Sequence, residues 1–230
     1  MRYRDILFDA DNTLLDFYRS EREALSDALF EIGVAASDDM IAAYSAINDR
    51  MWKKLERGEI DKVRLRLARF EEFARDCGIV TDVPRLAERY TVLLATKSYL
   101  MPGALATART LRERGCRLFI ITNGMKSVQT GRFDHSALFP YFEKSFISEE
   151  IGAEKPSRAY FDRVKAEIPH FSDRETLVVG DSLSSDIRGG VLAGLDTCWF
   201  NPQEKQSPAD LPITYTVTRL EEIIPIVCAP

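Results

Sequence analysis

Two carboxylates, one residue apart, follow the first apolar run of the chain. Residues 6–8 predict a short strand buried on both faces of a parallel sheet, and Asp9 and Asp11 come directly after it, with Asn12 and Thr13 close behind. Ligands of open α/β sheets bind just beyond the carboxyl ends of the strands. Two acids at such a place can divide the work of catalysis, because one can act as nucleophile or metal ligand while the other carries a proton.

Two simpler explanations exist for this segment. A calcium loop that begins at Asp9 would have Leu14 where an EF-hand requires glycine and Ser20 where it requires glutamate, so that explanation fails. Asp and Asn also cap backbone amides in ordinary turns. Taken alone, the segment is therefore compatible with either a turn or an active site.

Polar residues also follow three later apolar segments. Thr122 and Asn123 end one apolar run, Lys155 follows a second, and Asp181 and Asp186 follow a third. Because the carboxyl ends of parallel strands meet at one edge of a sheet, these side chains are expected to converge with the first acidic pair.

The convergence has a chemical use. Asp9 and Asp181 can hold a divalent cation through hard oxygen ligands. Thr122, the backbone amides near Asn123 and the ammonium group of Lys155 can bind phosphate oxygens. Each residue also has an ordinary explanation as a strand end, a helix cap or a surface charge. The occurrence of four such clusters in this order favours an active site over these separate explanations.

The elements that must position these residues alternate between strand and helix. The pattern predicts an α/β protein, with a Rossmann-like parallel sheet core covered by helices on both faces. Residues 16–98 have four helical stretches and no convincing strand. We therefore expect a catalytic core at 1–15 and 99–230 and an inserted all-helical cap at 16–98. The insertion follows the Asp9 turn, which predicts that it lies over the site.

Start signals and apolar spacing predict the helices of the insertion. The capping box from Ser20 to Glu23 predicts the start of the first helix, and Ser37 predicts the start of the second. A third helix is expected over about 61–77, with Val63 facing inward.

The composition of the chain bears on its partners and its location. The net charge of −5 and the pI near 5.3 disfavour a nucleic acid polymer or an anionic membrane surface, whereas a small anionic substrate remains compatible. No apolar run reaches the roughly 18 residues of a membrane span, and the first strand begins too early for a signal peptide, so a cytoplasmic location is expected. The four cysteines are widely spaced and indicate neither a zinc site nor a disulfide framework.

The four clusters together resemble the motifs of the haloacid dehalogenase (HAD) superfamily. In chain order the matching residues are Asp9-x-Asp11-x-Thr13, Thr122-Asn123, Lys155-Pro156 and Gly180-Asp181-(x4)-Asp186. The resemblance covers essentially the whole chain. The helical insertion resembles the C1-type cap of subfamily I, and Asn12 replaces a glycine that is common in the first motif.

The resemblance implies phosphoester chemistry. Asp9 would be the nucleophile that forms an aspartyl-phosphate, and Asp11 would be the general acid/base. Thr122, Asn123 and Lys155 would form the phosphate-binding part of the site. The founding dehalogenases lack the second aspartate of the first motif, so the presence of Asp11 favours phosphoester substrates.

The resemblance also implies a magnesium ion. Its ligands would be the Asp9 carboxylate, the Asp11 backbone carbonyl and Asp181, with Asp186 helping through a bound water. Without a cation and a lysine, these carboxylates and a phosphate dianion would repel one another.

Residues 148–156 and 185–201 resemble the bacterial pyrimidine 5′-nucleotidases of this superfamily. Those enzymes act on UMP, dUMP and dTMP, so a small phosphorylated metabolite is the expected substrate. A phosphatase for phosphoglycolate or a sugar phosphate, a phosphomutase and a catalytically silent binding module are the alternatives. The last is disfavoured because a protein that only binds has no use for Asp11. The sequence assigns neither the oligomeric state nor the cap residues that contact substrate.

Overall fold

The short apolar runs form the strands of one parallel sheet. The computed structural model describes residues 1–229. Within this range the strands are β1 (Asp5–Asp9), β2 (Arg117–Thr122), β3 (Lys144–Ile147), β4 (Thr176–Gly180), β5 (Asp196–Phe200) and β6 (Tyr215–Val217). They pair in the order β3–β2–β1–β4–β5–β6, and every pairing is parallel.

The middle of the sheet is buried on both faces. Every residue of β1 and β4 is buried, as expected for strands covered by helices on both sides. The first strand lies between β2 and β4, so the order of the chain reverses beside it. In open α/β sheets this switch point is where the ligand crevice forms. The predicted fold class is confirmed.

Four helices follow β1 before residue 100, and the other helices are interspersed with the remaining strands after it. Their bounds are α1 (Phe17–Glu31), α2 (Asp38–Glu56), α3 (Lys62–Asp76), α4 (Val83–Leu94), α5 (Ala104–Glu113), α6 (Lys126–Asp134), α7 (Ser148–Ile151), α8 (Arg158–Glu167), α9 (Arg188–Leu192) and α10 (Ile223–Cys228). None of the helices within residues 1–229 is both long and apolar enough to cross a membrane.

Residues 1–229 divide into two compact units. One unit contains the sheet and comprises Met1–Asp16, Leu100–Lys126 and the described residues from Ser136 onward. The other is helical and comprises Phe17–Tyr99 and Ser127–His135. Nearly all of α6 therefore belongs to the helical unit. The domain boundaries expected from the sequence remain a prediction.

Helix caps and an aromatic core stabilise the helical unit. The side chains of Ser37, Asp61 and Asp82 accept hydrogen bonds from backbone amides in the first turns of α2, α3 and α4. Tyr44 of α2 packs against Phe70 of α3, with ring centroids 5.0 Å apart. Such aromatic pairs contribute beyond the apolar area that they bury.

A polar cluster is also buried in the helical unit. The Asn48 amide donates to Glu21 Oε1 at 2.8 Å, and Arg69 Nη1 donates to Asn48 Oδ1 at 2.9 Å. The Ser45 hydroxyl donates to the other oxygen of Glu21. Because Glu21, Asn48 and Arg69 are at most 3% exposed, these bonds replace water that the side chains have lost.

Two details of the helix predictions are wrong. The first helix begins at Phe17 instead of at Ser20, and Ser20 is fully buried in its first turn, where its small size suits the packing. Val63 is 80% exposed, whereas Leu65 is fully buried. The inward face of α3 therefore includes Leu65, which the spacing argument did not select.

Candidate active site

The turn after β1 fixes the first acidic pair. Asp9 ends the strand and is buried, while Asp11 is half-buried in the turn that follows. The backbone amide of Leu15 donates to the Ala10 carbonyl at 2.8 Å, which closes the turn. Asn12 has a φ of 59°, a left-handed conformation that asparagine tolerates better than most residues. This explains how it can stand where glycine is common.

The Thr13 hydroxyl connects the first motif to the fourth. It donates to Asp9 Oδ2 at 3.2 Å and accepts the backbone N–H of Asp181 at 3.1 Å. Thr13 is fully buried, so both bonds are shielded from water. The hydroxyl thereby holds the ends of β1 and β4 in register beside the site.

Lys155 lies at the centre of the carboxylates. Its Nζ is 2.7 Å from Asp9 Oδ1 and 2.7 Å from Asp186 Oδ1, and it also donates to the Ile121 carbonyl at 3.0 Å. The side chain is 2% exposed. A lysine with three acceptors uses all of its ammonium hydrogens. Lys155 is therefore a buried counter-charge with a fixed position.

The electrostatics of this group are set by burial and by neighbouring charges. Burial opposes the charge on Lys155, but the carboxylates of Asp186 and Asp9 outweigh it and raise the lysine pKa. Burial and then Asp186 raise the pKa of Asp9 well above its usual range, although Lys155 opposes this. The site thus contains more negative charge than a single lysine neutralises.

The fourth motif brings two more carboxylates to the same edge. Asp181 follows β4, and its backbone carbonyl accepts the indole N–H of Trp199 at 2.9 Å. Asp186 lies in a π-helical turn, Leu183–Ile187, where its Oδ2 accepts the Ser182 N–H at 3.1 Å. A Cβ at Gly180 would stand only 2.3 Å from Asp186 Oδ2. Glycine is therefore required for this close approach.

The carboxylates fit a divalent cation. Oxygens of Asp9, Asp181 and Asp186 lie within 4.8 Å of one another. Burial and then Asp186 raise the pKa of Asp181 to about 7, because the charged form loses water and faces a neighbouring carboxylate, and Lys155 opposes this rise. Hard oxygen ligands in such a group suit Mg²⁺ or Ca²⁺.

The end of β2 supplies the polar residues of the second motif. Thr122 is buried, its backbone N–H donates to the Tyr160 hydroxyl at 3.1 Å, and its Oγ1 accepts the Gly124 N–H at 3.0 Å. The Tyr160 hydroxyl donates in turn to the Phe146 carbonyl at 2.6 Å. Tyr160 therefore ties the ends of β2 and β3 together.

The structure brings the predicted residues to one edge of the sheet. Lys155 contacts Asp9 and Asp186 directly, and Asp181 completes the acidic group. Thr122 ends β2, the neighbour of β1, and Asn123 follows it directly.

Sequence reasoning assigned no role to the hydroxyl of Thr13, the indole of Trp199 or the hydroxyl of Tyr160. Of these, Thr13 stands in the first motif and Trp199 in the segment 185–201, so both could have been noticed, whereas Tyr160 stands in neither.

The comparison with protein families places the chain in one of them. Residues 3–194 match the family of haloacid dehalogenase-like hydrolases, and the chain belongs to this family. The resemblance drawn from the four sequence motifs is therefore confirmed.

Three relatives resemble the chain over nearly its full length. It is 38% identical to the pyrimidine 5′-nucleotidase PynA of Streptococcus pneumoniae, covering 97% of this chain and 94% of the relative. It is 31% identical to the pyrimidine 5′-nucleotidase YjjG of Escherichia coli, covering 99% of both. A crystal structure of the HAD-hydrolase YfnB of Bacillus subtilis, bound to magnesium, superposes with a TM-score of 0.93 at 38% identity, covering 99% of this chain and 100% of that one.

Proposed function

We propose that the chain is a Mg²⁺-dependent phosphatase that hydrolyses nucleoside 5′-monophosphates, with a preference for pyrimidine nucleotides. The observation that carries the proposal is the full-length similarity to two pyrimidine 5′-nucleotidases. The buried group of Asp9, Lys155, Asp181 and Asp186 supports the chemistry. The net charge of −5 favours a small substrate over a nucleic acid polymer or an anionic membrane, and a cytoplasmic location is expected.

In the proposed reaction, an Asp9 carboxylate oxygen attacks phosphorus and the bond from phosphorus to the ester oxygen breaks. Asp11 donates a proton to the departing nucleoside oxygen and then accepts one from the water that attacks the aspartyl-phosphate. That second attack releases inorganic phosphate and restores Asp9. Splitting a difficult hydrolysis into two displacements is the general advantage of a covalent intermediate.

The remaining residues bind and orient the phosphoryl group. Lys155 and the Thr122 hydroxyl would bind its oxygens together with the backbone amides near Asn123. Because all three ammonium hydrogens of Lys155 are engaged, one of them would pass from a protein oxygen to a phosphoryl oxygen when substrate binds. The buried positive charge would then already stand where charge develops on the transferred group. Thr13 keeps Asp9 in place through its hydroxyl.

Asp9, Asp181 and Asp186 would hold Mg²⁺ together with the Asp11 backbone carbonyl, with Asp186 acting through a bound water. When bound, the ion supplies Lewis-acid stabilisation of phosphoryl oxygen charge. The structure of the relative YfnB is bound to magnesium, which supports magnesium as the ion. We expect EDTA to abolish phosphatase activity and added Mg²⁺ to restore it; full activity in chelator would contradict the metal assignment.

The substrate is tested by phosphate release in the presence of Mg²⁺ over a panel of UMP, dUMP, dTMP, AMP, GMP, phosphoglycolate, glucose 1-phosphate and glucose 6-phosphate. The proposal expects clearly higher kcat/KM for the pyrimidine monophosphates. A preference for phosphoglycolate or a sugar phosphate would keep the phosphatase chemistry and reject the nucleotidase assignment.

A further inference from the structure

The side-chain amide of Asn123 is bonded to the main chain of Lys155. Asn123 Nδ2 donates to the Lys155 carbonyl at 2.8 Å, and the Lys155 N–H donates to Asn123 Oδ1 at 2.9 Å. Both polar atoms of the amide are engaged. The pair of bonds also fixes which end of the amide is oxygen, since a flipped amide would satisfy neither partner.

The same short segment also binds the other end of Lys155. The Ile121 carbonyl, two residues before Asn123, accepts the lysine Nζ at 3.0 Å. The four-carbon stem limits how far the ammonium can lie from the main chain, so the position of the ammonium depends on where the backbone is held. Residues 152–157 between α7 and α8 form no strand or helix that would hold it. Residues at and just after the end of β2 therefore form hydrogen bonds with both the backbone and the ammonium of Lys155.

We infer that Asn123 is a positioning residue, whose side chain sets the location of Lys155 in the site through two main-chain hydrogen bonds. The inference rests on the proposed function, in which Lys155 binds the phosphoryl group. It assigns the side chain of Asn123 to the lysine and makes no claim on phosphate for that side chain. The backbone amides on either side of it, those of Thr122 and Gly124, are bonded within the protein.

The chain contains a matched control. Asn201 makes the same pair of bonds with the main chain of Lys205: its Nδ2 donates to the Lys205 carbonyl at 2.9 Å, and the Lys205 N–H donates to its Oδ1 at 3.0 Å. Asn201→Ala removes the same two bonds from a loop that the mechanism does not use. The two variants should lose similar thermal stability.

Hydrolysis of a chromogenic aryl phosphate with Mg²⁺ separates their effects. Asn123→Ala should lower kcat/KM roughly 10- to 100-fold, the loss expected when two neutral hydrogen bonds are removed. Asn201→Ala should stay within about twofold of the wild type, because distant sites act independently. Equal losses of activity in both variants would overturn the inference, since they would show a general effect of stability.

A double-mutant cycle then tests whether the effect of Asn123→Ala on phosphate binding acts through Lys155. The dissociation constant of inorganic phosphate, measured by calorimetry with Mg²⁺, is available even for inactive variants. In the Lys155→Met background, Asn123→Ala should change phosphate affinity by no more than about twofold, because the lysine it positions is gone. Effects that multiply would instead mean that the Asn123 side chain binds phosphate itself, and would refute the inference.

Failure of the proposed function is a separate outcome. A wild-type enzyme that hydrolyses no phosphomonoester but binds inorganic phosphate would reject the phosphatase assignment, and the cycle would still decide the role of Asn123. A wild-type protein that binds no phosphate would reject both.

Discussion

Replacing the buried Glu21 by glutamine should flatten the pH dependence of the protein's stability. Burial raises the pKa of the Glu21 carboxyl from 4.5 to about 7, and Asp49 adds to the rise; the hydrogen bonds and the positive charge of its other neighbours oppose it without cancelling it. Between these pH values the folded protein holds a proton that the unfolded chain has lost. The free energy of unfolding must therefore fall as the pH rises from 4.5 to about 7.

The two pKa values give the size of the effect. Between about pH 5 and about pH 8 the wild type should lose about 2.5 kcal/mol of unfolding free energy through this group. Glutamine cannot titrate, yet its amide oxygen can accept from Asn48 and its amide nitrogen can donate to the Ser45 hydroxyl. The Glu21→Gln variant should therefore lack this pH-dependent fall in unfolding free energy while keeping its hydrogen bonds to Ser45 and Asn48.

Urea unfolding followed by far-ultraviolet circular dichroism, across this pH range, measures the difference. Glu31→Gln on the same helix is the control. Its hydrogen bond to Arg89 holds the Glu31 pKa below its usual value, so it is ionised throughout the range. Stability profiles of the wild type and Glu21→Gln that run parallel from about pH 5 to about pH 8 would refute the argument, because the linkage relation allows no other result for a carboxyl that titrates there.

Three further outcomes follow from the site. Asp9→Asn should abolish phosphate release while leaving the melting temperature close to that of the wild type, and unchanged turnover would reject the nucleophile. Trp199→Phe keeps the ring but removes the indole donor to the Asp181 carbonyl, so calorimetry should show Mg²⁺ binding weakened roughly 3- to 10-fold; unaltered affinity would show that this bond does not position Asp181. Gly180→Ala should displace Asp186, since the added Cβ would lie 2.3 Å from its Oδ2; both Mg²⁺ affinity and kcat/KM should fall, and a variant with wild-type values would contradict the steric argument.

The sequence predicted the sheet and the place of the site because both depend on simple patterns. Buried parallel strands are continuous apolar runs, and the polar residues that follow them must share an edge. This is sufficient to bring Asp9, Lys155, Asp181 and Asp186 together without knowing any distance. The nucleophile and acid/base roles rest on the family resemblance and stay predictions.

Contacts between distant segments were not predictable. Tyr160 fits the apolar stripe of its helix, and only the folded chain shows that its hydroxyl joins the ends of β2 and β3. Asn123 and Lys155 stand in different motifs, and no pattern states that one side chain holds the other's backbone. The π-helical turn that contains Asp186 differs from an α-helix by hydrogen-bond register, which apolar spacing does not encode.

The position of β1 between β2 and β4 determines when, during synthesis, the residues of the site can come together. The ribosome makes β1 before the other five strands, and one of the two neighbours of β1, β4, does not begin until Thr176. Pairings between segments so far apart in the chain form slowly, and unpaired strand edges expose a nascent chain to aggregation. Asp9 is therefore synthesised well before Lys155 and before the proposed cation ligands Asp181 and Asp186. A chain terminated before Asp186 carries the proposed nucleophile but lacks part of the acidic group, so phosphatase activity should be acquired only after Asp186 has been synthesised.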